Sequence, residues 1–182
     1  MPAPARLRVR AELHALGADP ELVERRRLRV FAEARALRCV GLGSDGRDKF
    51  LTPRAATAWS RLREAAAADG VEVRLISAFR SFDYQTALIR RKLEAGRTLD
   101  DVLSVNAPPG CSEHHSGRAV DIGYPGCPAL DEAFEDTPAY TWLQRYAKDF
   151  GFTLSYPRGN RQGYRYEPWH WCFHHRSRGT DE

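Results

Sequence analysis

Cys111-Ser112-Glu113-His114-His115-Ser116-Gly117-Arg118-Ala119-Val120-Asp121 is the stretch from which the rest of this 182-residue chain is best read. It joins an imidazole, His114, to a carboxylate, Asp121, across a turn that contains Gly117. Seven residues apart, the two would face opposite sides of an uninterrupted strand, because strand side chains alternate. Gly117 can break that alternation by adopting backbone angles other residues avoid, letting both groups converge. A second stretch, Tyr166-Glu167-Pro168-Trp169-His170-Trp171, supplies a third donor, His170, and beside it another carboxylate. Zinc in hydrolases usually takes three ligands drawn from His and Asp or Glu and leaves a fourth position for water. His114, Asp121 and His170 fit that rule. Glu167 is then left over as a general base, since the metal brings the pKa of its water to about 7.

Outward from these segments, the chain mixes helices and strands. Thr52 and Pro53 form an N-cap and a first-turn proline, and Gly70 is a stop, so a helix is expected over 53–69. Val71, Val73 and Leu75 alternate with charged residues and predict a strand running towards Phe79. Helices are expected over 81–95 and 138–150, with a short turn at 98–103, and strands at 118–124, 152–156 and 164–173. In the first fifty residues, 20–37 reads as an amphipathic helix and 39–52 as a loop or weak hairpin. Helices and strands without a regular βαβ rhythm favour an α+β fold.

Three motifs in order carry a family resemblance. Ser112, His114, Gly117, Ala119 and Asp121 form one, Glu167, Trp169 and His170 another, and Ser77, Phe79, Arg80 and Ser81 an upstream third. Together they resemble the VanY-type D-alanyl-D-alanine carboxypeptidases, zinc enzymes grouped with lysostaphin-type peptidases and the hedgehog signalling domain. The resemblance spans residues 53–173. It implies a small antiparallel sheet flanked by helices, one zinc ion held by His114, Asp121 and His170, and Glu167 as catalytic base. It also implies Arg80 as the clamp on the developing oxyanion, and Ser112 and Gln85 as contacts to the peptide backbone or its terminal carboxylate. The partner so implied is a peptidoglycan stem peptide or fragment. Cleavage at an L,D bond or inside a stem peptide, and a zinc-bearing binding module without hydrolysis, are the competing readings. Residues 1–50 are then a helical extension packed on a catalytic domain of residues 51–182.

The other histidines and the cysteines receive blander roles. His115 is expected to point away from the metal, His174 and His175 to be exposed, and Cys172 to be core. Trp169 and Trp171 divide between core and cleft wall. Cys39, Cys111, Cys127 and Cys172 are expected as reduced thiols, although Cys111 and Cys127 bracket the metal segment and could staple it. Composition sets the outer bounds. A net charge of +4, with Arg spread along the chain, does not point to nucleic-acid binding. No apolar stretch is long enough to span a bilayer. No secretory h-region opens the chain, so a cytoplasmic location is expected, with release to the cell wall by another route as the alternative. Oligomeric state is not encoded in any of these features.

Overall fold

The structure, a computed structural model, describes residues 3–174. Val9 and Leu13 lie one turn apart on the first helix, α1 (Ala3–Ala15), and Leu16 follows just beyond it; all three are buried. Their i, i+4, i+7 spacing is that of a helix face docked on a core.

The helix expected over 20–37 is reduced to one turn, α2 (Leu22–Arg25). Arg27 takes a left-handed backbone (φ 51°), and the Leu28 N–H closes the turn on the Val23 carbonyl. Beyond it, Leu28 and Val30 are buried while Arg29 between them is exposed, the period of an extended chain rather than of a helix. This strap is tied to the central loop by Phe31 N–H to the Gly110 carbonyl and Ala34 N–H to the His115 carbonyl, both 2.8 Å. Next comes an antiparallel hairpin, β1 (Arg38–Leu42) and β2 (Asp48–Leu51), which is the weak hairpin expected there.

Helix α3 (Pro53–Ala68) starts at Pro53 as predicted and buries Ala55, Trp59, Leu62 and Ala66 along one stripe. Strand β3 (Arg74–Ser77) is followed by α4 (Phe82–Glu94), where the Ser81 hydroxyl caps the helix by accepting from the Tyr84 N–H. Then come α5 (Leu99–Val105), a 3-10 turn at Glu113–Ser116, and β4 (Ala119–Gly123). Helix α6 (Pro138–Tyr146) is capped by Thr137, and β5 (Phe152–Leu154) and β6 (His170–Phe173) complete the chain. Residues 164–169, expected as strand, are irregular, and pairing begins only at His170.

The larger sheet is antiparallel in the order β3-β4-β6-β5. One apolar core, with Trp59, Phe134, Leu143, Phe152 and Trp171, packs α3 and α6 against it. A second core gathers Val9 and Leu13 with Phe82 and Ile89 of α4 and Val102 of α5. The architecture is thus α+β with a small antiparallel sheet flanked by helices. Among the described residues no helix is long and apolar enough to cross a membrane.

Candidate metal centre

Asp121 on β4 stands directly opposite His170 on β6 in the antiparallel register, so sheet pairing alone brings two of the three expected donors together. His114 arrives by a different route. It sits in the 3-10 turn Glu113–Ser116, which Gly117 ends in a left-handed conformation (φ 63°, ψ 24°). The loop then enters β4, and His114 and Asp121 face one another although seven residues separate them. Gly117 is needed for space as well as for its dihedrals, because a Cβ there would lie 3.0 Å from the Ala34 Cβ and 3.1 Å from Thr52.

All three side chains are buried, and one donor atom of each lies within 4.8 Å of the other two. His114 Nδ1 is engaged by the Ala78 carbonyl oxygen and therefore carries the proton. The bare Nε2 then faces Asp121 Oδ2 at 3.2 Å and has no hydrogen-bond donor to satisfy it. Burial, reinforced by the charge of Arg80, pushes the His114 pKa down to about 4, which keeps the ring neutral at physiological pH. Two lone pairs thus point at one another in the protein interior. Such an arrangement is satisfied by a cation.

His170 is oriented from both sides. Its Nδ1 lies 2.9 Å from Asp121 Oδ1, and its Nε2 lies 3.1 Å from Glu113 Oε2. Glu113 also accepts from the Ser155 hydroxyl at 2.6 Å. Burial opposes charge on His170, but the bonds to Asp121 and Glu113 outweigh it and raise the pKa to about 10. Glu113 responds in the opposite sense: burial pushes it up, yet the His170 contact holds it at about 2. In Asp121 burial is likewise overcome by the two imidazoles, and the pKa falls. Glu113 and Ser155 were not among the residues singled out from the sequence. Glu113 was hidden in plain view between Ser112 and His114, at a variable position of the motif.

A cavity of about 280 Å³ opens above this cluster and is lined by Arg80, Ser112, Glu167 and Trp169 as well as by the three donors. Glu167 is buried beside the triad, with its Oε2 3.9 Å from His170 Nδ1. Burial raises its pKa to about 7 against the pull of His170. Arg80 is anchored through its backbone. Its N–H donates to the His114 carbonyl at 3.3 Å, and its carbonyl oxygen accepts from His115 Nδ1 at 2.7 Å. Its Nε is buried without a partner. Asp83, a local acid that could have neutralised it, is paired with Arg8 instead.

Ser112 is buried, and its hydroxyl accepts from the His114 N–H at 3.3 Å. Gln85 is buried on α4 with Nε2 donating to the Ala107 carbonyl at 2.8 Å, while its Oε1 has no partner. His115 does point away from the metal cluster, but it is fully buried. The backbone there is a 3-10 turn rather than extended chain, and the ring becomes a brace: besides holding Arg80, its Nε2 accepts from the Gly110 N–H at 3.0 Å. His174 is exposed, and His175 lies outside the described residues. Trp171 and Cys172 are core, and Trp169 walls the cavity. All four cysteines are free, so no Cys111–Cys127 staple forms.

By its chemistry such a site stands among hydrolytic single-metal centres. Comparison with known proteins sharpens the class: residues 48–176 match the family model of VanY, D-alanyl-D-alanine carboxypeptidase, and the chain belongs to that family. It is 32% identical over 135 residues to the bifunctional D-Ala-D-Ala dipeptidase and D-Ala-D-Ala carboxypeptidase VanXYC of Enterococcus gallinarum, covering 69% of this chain and 68% of the relative. Among solved structures, the LdcB LD-carboxypeptidase superposes with a TM-score of 0.68 at 30% identity, over 78% of this chain and 69% of that one. VanYB in complex with D-Alanine-D-Alanine gives a TM-score of 0.59 at 27% identity, over 79% and 78%. Four curated relatives are spanned by this chain over 36% to 68% of their lengths.

Proposed function

We propose that this chain is a zinc-dependent D-alanyl-D-alanine carboxypeptidase that removes the terminal D-Ala from peptidoglycan-type stem peptides. The observation that carries this reading is that Glu167 and Arg80 open onto the same cavity as the His114, Asp121 and His170 cluster without being consumed by it. A binding module has no need of a spare carboxylate and a spare guanidinium beside its metal. The names of the VanY relatives support the substrate class.

His114 through Nε2, Asp121 through its carboxylate and His170 through Nδ1 would hold the ion. When bound, zinc supplies Lewis acidity that makes water a nucleophile near neutral pH and polarises the scissile carbonyl. Glu167 takes a proton from the attacking water and returns it to the leaving amine. Arg80 offsets the negative charge that develops on the carbonyl oxygen. With Nε2 committed to Ala107, Gln85 offers Oε1 to a substrate N–H. Ser112, whose oxygen accepts from His114 N–H, keeps its own proton to donate to a substrate oxygen. Residues 1–50 would serve as an N-terminal extension and 51–182 as the catalytic domain, a division supported by the family match beginning at residue 48.

The test is incubation of the zinc-loaded protein with defined tri-, tetra- and pentapeptide stems, with products read by mass. Release of D-Ala from the pentapeptide is expected. Cleavage of the tetrapeptide alone would instead select the L,D-carboxypeptidase reading, which the LdcB likeness favours. In the same assay Arg80→Ala is expected to lower kcat by roughly a hundredfold to a thousandfold, the usual cost of losing an oxyanion stabiliser. Glu113 acts through His170 as a positioning residue. Glu113→Ala is expected to weaken zinc binding about 10- to 100-fold in a chelator competition, whereas an unchanged affinity would reduce Glu113 to a packing role.

A further inference from the structure

The cavity holds more positive charge than hydrolysis uses. Lys92 follows Gln85 by seven residues on α4, so the two project from the same face of the helix. Lys92 Nζ donates to Asn106 Oδ1 at 3.0 Å, and the buried Asn106 is itself fixed by its Nδ2, which donates to the Val102 carbonyl at 2.7 Å. Asn106 immediately precedes Ala107, whose carbonyl holds Gln85 Nε2. The ammonium is therefore held one residue away from the wall carbonyl that Gln85 fixes. Lys92, Asn106 and Ala107 line the same cavity as Arg80 and Glu167.

Among the described residues Lys92 forms no ion pair, whereas its cationic neighbour Arg97 is occupied by Asp101 at 2.6 Å. Burial, then the charges of Arg97 and Arg80, push the Lys92 pKa down. A half-buried ammonium with a neutral amide as its only partner is poorly compensated, and an arriving anion would restore the balance. Asn106 turns the ammonium without neutralising it, which leaves the full charge and two N–H donors for a ligand.

We propose that Lys92, aimed by Asn106, is the counter-ion for a carboxylate of the substrate and makes the cavity selective for peptides that carry a free acid there. The inference rests on the reading of the site as a peptide-hydrolysing centre. A stem peptide has two sources of such a group, its C-terminus and an internal acidic residue. Amidating each in turn distinguishes them.

The experiment uses the full zinc-loaded chain carrying Glu167→Ala, so that peptide binds without turnover, and reads affinity by calorimetry. Three pentapeptides ending in D-Ala-D-Ala are compared: the free acid, its C-terminal carboxamide, and a form amidated at the internal acidic residue. One amidated form is expected to bind at least tenfold more weakly than the free acid. Adding Lys92→Met should bring the free acid down to that weaker level and abolish the discrimination, while Lys92→Arg should restore it. Zinc stoichiometry of each variant reports that the site is intact. Equal binding of all three peptides, discrimination that survives Lys92→Met, or no binding of any form would each overturn the proposal. Turnover by the unsubstituted protein is read separately. If it cleaves none of the peptides while Lys92-dependent discrimination persists, the proposed activity fails and the carboxylate contact stands.

Discussion

Glu167→Ala is expected to keep zinc bound and to lower kcat by about a hundredfold to ten-thousandfold, the range that a positioned general base contributes. The side chain borders the site without belonging to the donor set: its Oε2 stands 3.9 Å from His170 Nδ1, whereas the atoms that converge within 4.8 Å of one another come from His114, Asp121 and His170. Burial raises its pKa to about 7, and a cation in the triad pulls the other way, so the group works as a carboxylate able to accept a proton. Folding should survive the change, because Glu167 holds no strong ion pair whose loss would strand a buried charge. The measurement is zinc content by elemental analysis beside D-Ala release from a pentapeptide. Unchanged turnover would remove Glu167 from the mechanism. Absence of turnover in both proteins, with zinc retained in both, would favour the binding-module reading.

The second large effect lies far from the metal. Leu13→Ala is expected to destabilise the protein by about 2–5 kcal/mol, the usual cost of emptying a fully buried leucine site. Leu13 has no exposed surface and shares a core with Phe82, Ile89 and Val102. The ion pairs that tie α1 to α4, Arg8 to Asp83 and Arg90 to Glu12, lie at the surface, each worth at most about 1 kcal/mol. Apolar burial therefore does most of the docking. Phe82 and Ile89 belong to the helix that carries Gln85 and Lys92, so α1 backs the wall of the cavity. Equilibrium denaturation gives the test, with exposed Leu7→Ala as a control expected to fall within about 0.5 kcal/mol of the parent. A Leu13→Ala loss under 1 kcal/mol would mean that the first helix contributes little to the stability of the rest.

The donors were legible because their chemistry is carried by residue type and by order along the chain. His114, Asp121 and His170 announce themselves through motif spacing, and Thr52-Pro53 and Thr137-Pro138 mark helix starts that the structure keeps. The N-terminal segment was not, because residues 20–37 carry enough apolar residues for a helix face while Leu28 and Val30 are buried at every second position. Arg27 is the physical reason the helix stops, and nothing about an arginine announces a left-handed turn. His115 points away from the metal as expected, but its burial and its hold on Arg80 depend on the 3-10 turn that Gly117 closes, which residue type alone does not announce. Glu113, Ser155 and Lys92 stayed invisible because their importance comes from contacts 57, 42 and 14 residues away in sequence.

The strand order also has a dynamic consequence. Asp121 and His170 sit on β4 and β6, the two inner strands of the sheet, each hydrogen-bonded on both sides. Opening either strand requires two ladders to separate, so the ladder amides of β4 and β6 are expected in the slowest-exchanging class of the protein. Two of the three donors are thus carried by the part of the sheet that is hardest to open.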